Sequence, residues 1–202
     1  MQQEIYLIGL NHRSAEVEVR EKYALNNATT RDLGFDDTSS PIQESLLLST
    51  CNRVELLLVG EPESRTCEFA LKSWSRACGQ LPDELSGHVY TFQGLQAVEH
   101  LFTVACSLDS MVVGERQILG QLKEAYQHAV DQKSARVIIN RLMHKAFSVA
   151  KRVRTETRIA NSAVSISYAA VQLAKQIFGE LNKQTAMLLG AGEMAELAAT
   201  HL

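Results

Sequence analysis

The sequence predicts an α/β chain in two parts: an α+β domain over residues 1–158, then the first βα unit of a second domain over residues 159–202. Three observations predict it. Between residues 4 and 92, apolar runs of strand length alternate with turn-rich and helical stretches. From residue 95 to residue 178, apolar residues recur at the i, i+3, i+4, i+7 spacing of helices. After that, an apolar run leads straight into a glycine turn and a new helix.

Glu4–Leu10 is the first strand, and it ends in the polar turn Asn11-His12-Arg13-Ser14. A short helix is expected over about 16–24, and residues 26–41, rich in turn formers, read as a loop. Glu44–Ser49 and Val54–Val59 are two strands joined by Thr50-Cys51-Asn52-Arg53. A helix over 63–78 carries Phe69 and Trp74 on its apolar side and stops at Gly79. His88–Phe92 is a short strand. Leu95, Val98, Leu101, Phe102 and Ala105 share one face of a helix, and Leu108–Gly114 is irregular. Helices follow over about 115–131 and 135–157. Asn161-Ser162 offers an N-cap to a helix over about 163–178. Thr185–Leu189 reads as a buried strand entering Gly190-Ala191-Gly192-Glu193-Met194-Ala195. No internal repeat is visible. The expected architecture is a ferredoxin-like βαβ core with a helical subregion, followed by the opening of a Rossmann-like domain.

Composition narrows the class. Of 202 residues, 46% are hydrophobic and 21% charged, with 3 prolines, as in ordinary globular proteins. No apolar run approaches the roughly 20 residues of a membrane helix. The N-terminus lacks the basic start and cleavage site of a secretory signal, so a cytoplasmic location without membrane contact is expected. Cys51, Cys67, Cys78 and Cys106 include no CxxC pair and read as reduced thiols. The six histidines are scattered without ligand spacing, so no metal site is expected.

The net charge of −3 conceals an asymmetry. Residues 1–134 carry a net −8 and residues 135–202 a net +5. Residues 133–158 hold eight Lys and Arg against Glu156 alone. Such a helix has either a solvated basic face or an RNA-binding one.

Two motifs carry chemistry. Gly190-x-Gly192-x-x-Ala195 lies between an apolar run and a helix, the context of a dinucleotide-binding turn. The first glycine permits the turn, the second lets backbone approach a pyrophosphate, and the small third residue allows close packing. A plain strand-to-helix turn uses glycine as well. Cys51 is the second feature. In a polar turn between two strands, next to Arg53, it is placed for thiolate chemistry. Free cysteines are otherwise mostly small buried hydrophobes, the reading taken for Cys67, Cys78 and Cys106. A thiolate beside a nicotinamide site suggests acyl transfer to sulfur followed by hydride reduction of the thioester.

Several stretches together resemble the glutamyl-tRNA reductases. They are Gly9–Ala15 (GLNHRSA), Leu48–Glu55 (LSTCNRVE), Leu108–Gln121 (LDSMVVGERQILGQ), Phe147–Thr157 (FSVAKRVRTET) and the Gly190 loop. The resemblance runs in order over essentially the whole chain. It implies NADPH-dependent reduction of glutamyl-tRNA(Glu) to glutamate-1-semialdehyde with release of tRNA, the first step of tetrapyrrole (porphyrin) synthesis from glutamate. Cys51 would be the nucleophile and His100 a further catalytic residue. Thr50, Asn52, Arg53, Ser110, Glu115, Arg116, Gln117 and Gln121 would bind the substrate with Cys51, Arg53 offering a fork to a carboxylate. Gly190, Ala191, Gly192, Glu193, Met194 and Ala195 would hold NADPH. Lys145, Lys151, Arg152, Arg154 and Arg158 are candidate contacts to tRNA(Glu) charged with glutamate. A semialdehyde aminotransferase and a second copy of the chain are implied partners.

Two positions depart from the family pattern. Ser107 stands where glycine is common, and Arg116 where proline is frequent. Members are about twice as long, so the chain reads as a catalytic domain plus the start of the NADPH domain, competent for acyl transfer or ester hydrolysis only. A tRNA-binding module without turnover and a nicotinamide dehydrogenase of a small acid are the alternatives.

Overall fold

The computed structural model describes every residue except 1, 2, 26, 27, 63, 116, 158, 160–165 and 191. Four strands form one antiparallel sheet: β1 (Glu4–Asn11), β2 (Ile42–Ser49), β3 (Arg53–Gly60) and β4 (Tyr90–Gln93), in the order β2-β3-β1-β4. Between β1 and β2 lies α1 (Val17–Lys22). Between β3 and β4 lie α2 (Ser64–Ala77) and α3 (Pro82–Ser86). This is the expected ferredoxin-like order. Three helices follow: α4 (Leu95–Ala105), α5 (Gln117–Asp131) and α6 (Val137–Glu156).

The strand period of two sorts the apolar residues onto both faces of the sheet. Leu7, Leu46, Leu48, Leu57 and Val59 pack with Leu101, Val104, Leu122, Ile139 and Met143 of α4–α6. Tyr6, Ile8, Leu10, Leu56 and Leu58 pack with Tyr23, Leu33, Trp74 and Leu85 on the opposite side. With both faces covered, every residue of β3 is buried, which explains the apolar run Leu56–Val59 within it.

One irregularity matters for the fold. The β2–β3 register shifts between Ile42 and Glu44, leaving Gln43 as an extra residue. Such a bulge re-aims side chains. Ile42 joins the α1–α3 side, whereas the buried Glu44 reaches the start of α6. Its carboxylate accepts hydrogen bonds from the backbone N–H of Arg136 (2.9 Å), Ile138 (3.0 Å) and Ile139 (2.8 Å). It thus occupies donors that a helix start leaves without intrahelical partners.

The C-terminal part holds α7 (Ile166–Phe178), a short 3-10 turn (Leu181–Lys183) and α8 (Glu193–His201). Tyr168 and His201 meet edge to face, 5.2 Å between ring centroids. The expected strand Thr185–Leu189 does not form. These residues are irregular and solvent-facing, with Leu189 86% exposed. A strand needs a neighbour for its N–H and C=O groups, and no described strand lies beside this run. The helix after the glycines forms as expected. The expected domain boundary falls among residues 158–165, nearly all outside the described residues. The short helix α3, with Pro82 in its first turn, was not expected.

Candidate active site

The turn between β2 and β3 holds Cys51 at its tip. The Thr50 hydroxyl oxygen accepts from the N–H of Asn52 (3.2 Å) and of Arg53 (3.1 Å), and Thr50 N–H donates to the Arg53 carbonyl (2.8 Å). This side-chain turn fixes the backbone without constraining the cysteine. Cys51 is the one exposed cysteine of the four. Burial raises the thiol pKa of Cys67, Cys78 and Cys106, so these three are poorer nucleophiles.

Behind the turn lies a buried ionic network. Arg53, 2% exposed, donates from NH1 to Glu55 Oε1 (2.6 Å) and from NH2 to Asp109 Oδ2 (3.0 Å) and to the Asp109 carbonyl. Glu55 Oε1 also receives the Tyr90 hydroxyl (2.6 Å) and faces His100 Nε2 (2.8 Å). Burial by itself raises the Glu55 pKa. The hydrogen bond from His100 and the charge of Arg53 reverse that, and the net position is below the ordinary carboxylate value. An ionised Glu55 only accepts, so Nε2 of His100 carries the hydrogen. Asp109 further receives Asn11 Nδ2 (3.2 Å) and pairs with Arg13 NH1 (2.9 Å).

Gly9 makes room for this network. A Cβ there would stand 2.7 Å from Glu55 Cγ, 2.9 Å from the Val54 carbonyl and 3.1 Å from the Tyr90 hydroxyl.

The loop of residues 107–115 closes on itself. Ser107 sits at φ 61°, in the left-handed region that glycine favours, which suits the glycine that the family resemblance led one to expect there. In this chain the serine hydroxyl donates to the Glu115 carbonyl (2.7 Å), and Gly114 N–H donates to the Ser107 carbonyl (2.8 Å). Arg154 NH2 reaches both Ser107 Oγ and the Glu115 carbonyl at 3.2 Å. Arg154, expected on the RNA face, is therefore half-buried and holds this loop.

Turn and loop enclose a cavity of about 210 Å³. Thr50, Cys51, Asn52 and Arg53 wall one side, and Ser110, Glu115, Gln117 and Gln121 the other, with Met111 and Ile118. All the described residues expected to bind substrate thus share one cavity. Arg116 lies outside the described residues. Two expectations change. The Arg53 guanidinium points inward to two protein carboxylates and offers no free fork. His100 does not line the cavity; its Nε2 meets Glu55, which in turn holds Arg53 of the cavity wall.

The structure adds His12, which lay in the Gly9–Ala15 stretch but was not singled out. It lines the cavity, and its N–H donates to the Asn52 carbonyl (3.0 Å). Its Nδ1 is buried without a hydrogen-bond partner among the described residues. Burial first, then the charge of Arg53, lowers its pKa below the ordinary 6.5, which keeps it neutral at neutral pH.

Lys145, Lys151 and Arg152 are exposed on α6, with Arg152 paired to Glu156. Arg158 and Ala191 lie outside the described residues. Gly190 takes a φ of 110°, and Gly192 precedes α8, which begins at Glu193-Met194-Ala195. A Cβ at either glycine would meet nothing within 4 Å.

Comparison with known proteins places the chain in a family. Residues 8–157 match the family model described as "Glutamyl-tRNAGlu reductase, N-terminal domain". Residues 172–202 match that of "Shikimate / quinate 5-dehydrogenase". A glutamyl-tRNA reductase of Oleidesulfovibrio alaskensis is 62% identical over 202 residues, covering 100% of this chain and 45% of the relative. One of Nitratidesulfovibrio vulgaris is 62% identical over 203 residues, covering 100% and 46%. The solved glutamyl-tRNA reductase of Methanopyrus kandleri superposes with a TM-score of 0.65 at 34% identity, over 98% of this chain and 46% of that one. The chain spans less than half the length of these relatives, and it belongs to the glutamyl-tRNA reductase family.

Proposed function

We propose that this chain accepts the glutamyl group of glutamyl-tRNA on Cys51, as the acyl-transfer half of an NADPH-dependent reductase of tetrapyrrole synthesis. The observation that supports it is the single cavity that gathers the one exposed cysteine with Thr50, Asn52, Ser110, Glu115, Gln117 and Gln121.

The chemistry follows from these groups. The Cys51 sulfur attacks the ester carbonyl; the C–S bond forms, the C–O bond to the terminal ribose breaks, and the thiol proton passes to the departing oxygen. Glu115 faces the substrate ammonium, and Gln117 and Gln121, one helical turn apart, hydrogen-bond its polar groups. Asn52 and Thr50 line the side next to the sulfur. Arg53, held by Glu55 and Asp109, acts as a fixed positive charge behind the turn rather than a ligand. His100 works as a positioning residue through Glu55.

A positive-φ glycine followed by a helix N-terminus fits the pyrophosphate of NADPH, so Gly190, Gly192 and Ala195 would hold it. When bound, NADPH supplies the hydride that reduces the acyl group to the aldehyde level. With residues 185–189 unpaired and exposed, we expect the 202-residue chain to be acylated, or to hydrolyse the ester slowly, but not to release semialdehyde. A semialdehyde aminotransferase and a second copy of the chain are proposed partners on the family resemblance.

Intact-mass measurement after incubation with glutamyl-tRNA tests this. A glutamyl adduct is expected on the wild type and on Cys67→Ser, Cys78→Ser and Cys106→Ser, and absent from Cys51→Ser. An adduct retained in Cys51→Ser would overturn the nucleophile assignment.

A further inference from the structure

A cleft larger than the Cys51 cavity lies beside it. It has a volume of about 700 Å³ and lies between β2 and α5. The two share Gln121, and the cleft wall includes Leu48 and Ser49, directly before Thr50-Cys51. A third cavity, about 200 Å³, shares Thr30, Gln132 and Ser134 with the large cleft and reaches Lys133 and Arg136 at the start of α6. The three adjoin in a row that leads away from the cysteine.

We propose that this series is the path of the acylated 3′ end of the RNA: glutamyl group at Cys51, terminal nucleoside in the large cleft, and the adjoining phosphate at Lys133 and Arg136. The inference rests on the reading of the Cys51 cavity as the glutamyl site.

Size and charge assign the parts. A cavity of about 210 Å³ suits an amino-acid-sized group and leaves the ester's ribose outside. The adjoining cleft offers apolar surface from Leu47, Ala125 and Ala129 and polar groups from Gln121, His128 and Gln132. Apolar and imidazole surface with a few hydrogen-bonding groups is how unpaired bases are held. Among its described lining residues the cleft has no Lys or Arg, and it has Glu124, so it suits a nucleoside and not a phosphate. The cations come one step further on. Arg31 there is taken up by Asp36 (2.9 Å), and Asp37 also lines this cavity, so its three cations face two carboxylates. Lys133 and Arg136 are exposed, and neither forms a side-chain ion pair among the described residues. Their backbone is pinned to β2, by Ser45 N–H to the Ser134 carbonyl (3.0 Å) and Arg136 N–H to Glu44 (2.9 Å).

Two small esters separate the parts of the path. Acylation of Cys51 in the 202-residue chain is measured with 3′-O-glutamyl-adenosine and with glutamyl 1-methyl ester. The adenosine ester is expected to half-saturate at a concentration lower by about tenfold or more, the scale of one base contact. Ala125→Trp, which fills the cleft, should abolish that advantage and leave the methyl ester unchanged. Glu124→Trp, on the exposed side, serves if Ala125→Trp does not fold. Lys133→Glu with Arg136→Glu should raise the half-saturating glutamyl-tRNA concentration by about tenfold and reduce its salt dependence, without changing the adenosine ester. Equal use of the two small esters by the wild type overturns the path, as does a loss in the Lys133/Arg136 variant that is the same for the adenosine ester. Absence of a Cys51 adduct with glutamyl-tRNA itself would refute the glutamyl reading and the path with it.

Discussion

Glu55→Gln tests the buried network behind the cysteine turn. Glu55 and Arg53 are 3% and 2% exposed, and one carboxylate oxygen takes three donors: Arg53, Tyr90 and His100. The substitution keeps shape and acceptor but removes the charge. Each hydrogen bond to a charged group is worth about 1 kcal/mol more than its neutral counterpart, so three give about 3 kcal/mol. Breaking a buried ion pair costs about 3–5 kcal/mol, and Asp109 still faces Arg53, which favours the lower end. At about 2–4 °C per kcal/mol for a chain of this size, the melting temperature should fall by about 6–12 °C. The pH dependence has a definite sign. The folded-state pKa of Glu55 lies below its ordinary 4.5, so its ionised form stabilises the fold above that value. That contribution is lost as pH falls below 4.5 through the folded-state value. Urea unfolding of wild type and Glu55→Gln should therefore differ by about 3 kcal/mol at pH 7, with the gap closing in acid. A difference under about 0.5 kcal/mol at pH 7, or a gap that persists in acid, refutes the reasoning.

Other perturbations probe the loop and the core. Arg154→Met should cost about 1–2 kcal/mol and raise the half-saturating glutamyl-tRNA concentration through the loosened 107–115 loop, leaving the affinity for uncharged tRNA nearly unchanged; equal loss for uncharged tRNA would make Arg154 an RNA contact instead. Glu44→Ala strips the acceptor of three N–H groups at the start of α6. It should cost about 1–2 kcal/mol in thermal unfolding, and Glu44→Gln should recover part of that. Gly9→Ala places a methyl 2.9 Å from a backbone oxygen that cannot move aside, and about 1–3 kcal/mol of destabilisation is expected from denaturant titration.

Much of this was legible in the chain because local periodicity agreed with global packing. Strands β1–β4 announced themselves as apolar runs of strand length, helices α4–α6 by the period of 3.6, and Cys51 by its turn between two apolar runs. Three features were harder to read. The run 185–189 is as apolar as β3, but apolar content does not supply a neighbouring strand. The β2 bulge turns on pairing with β3, which no local pattern reports. Arg53 was expected as a substrate fork from the family resemblance; Glu55, and Asp109 from 56 residues away, turn its guanidinium in. For Arg154 the signal was present. It continues the buried stripe Met143, Ala146, Ala150 at i+4, whereas Lys145, Lys151 and Arg152 lie off it.

The network also explains how an exposed thiol is held on a fixed frame. Asn11 and Arg13 from the end of β1, Arg53 and Glu55 from β3, Tyr90 from β4, His100 from α4 and Asp109 from the loop meet behind one turn. Two carboxylates, Glu55 and Asp109, stand against two guanidiniums, Arg53 and Arg13, so the charges are matched within the protein. Lining the cavity are Cys51, a set of neutral hydrogen-bonding groups, the carboxylate of Glu115 and Arg53, whose charge is held by Glu55 and Asp109. Substitutions of the frame should therefore act on stability and on the placement of Cys51 together, whereas substitutions at Gln117 or Gln121 should alter substrate use at nearly constant stability.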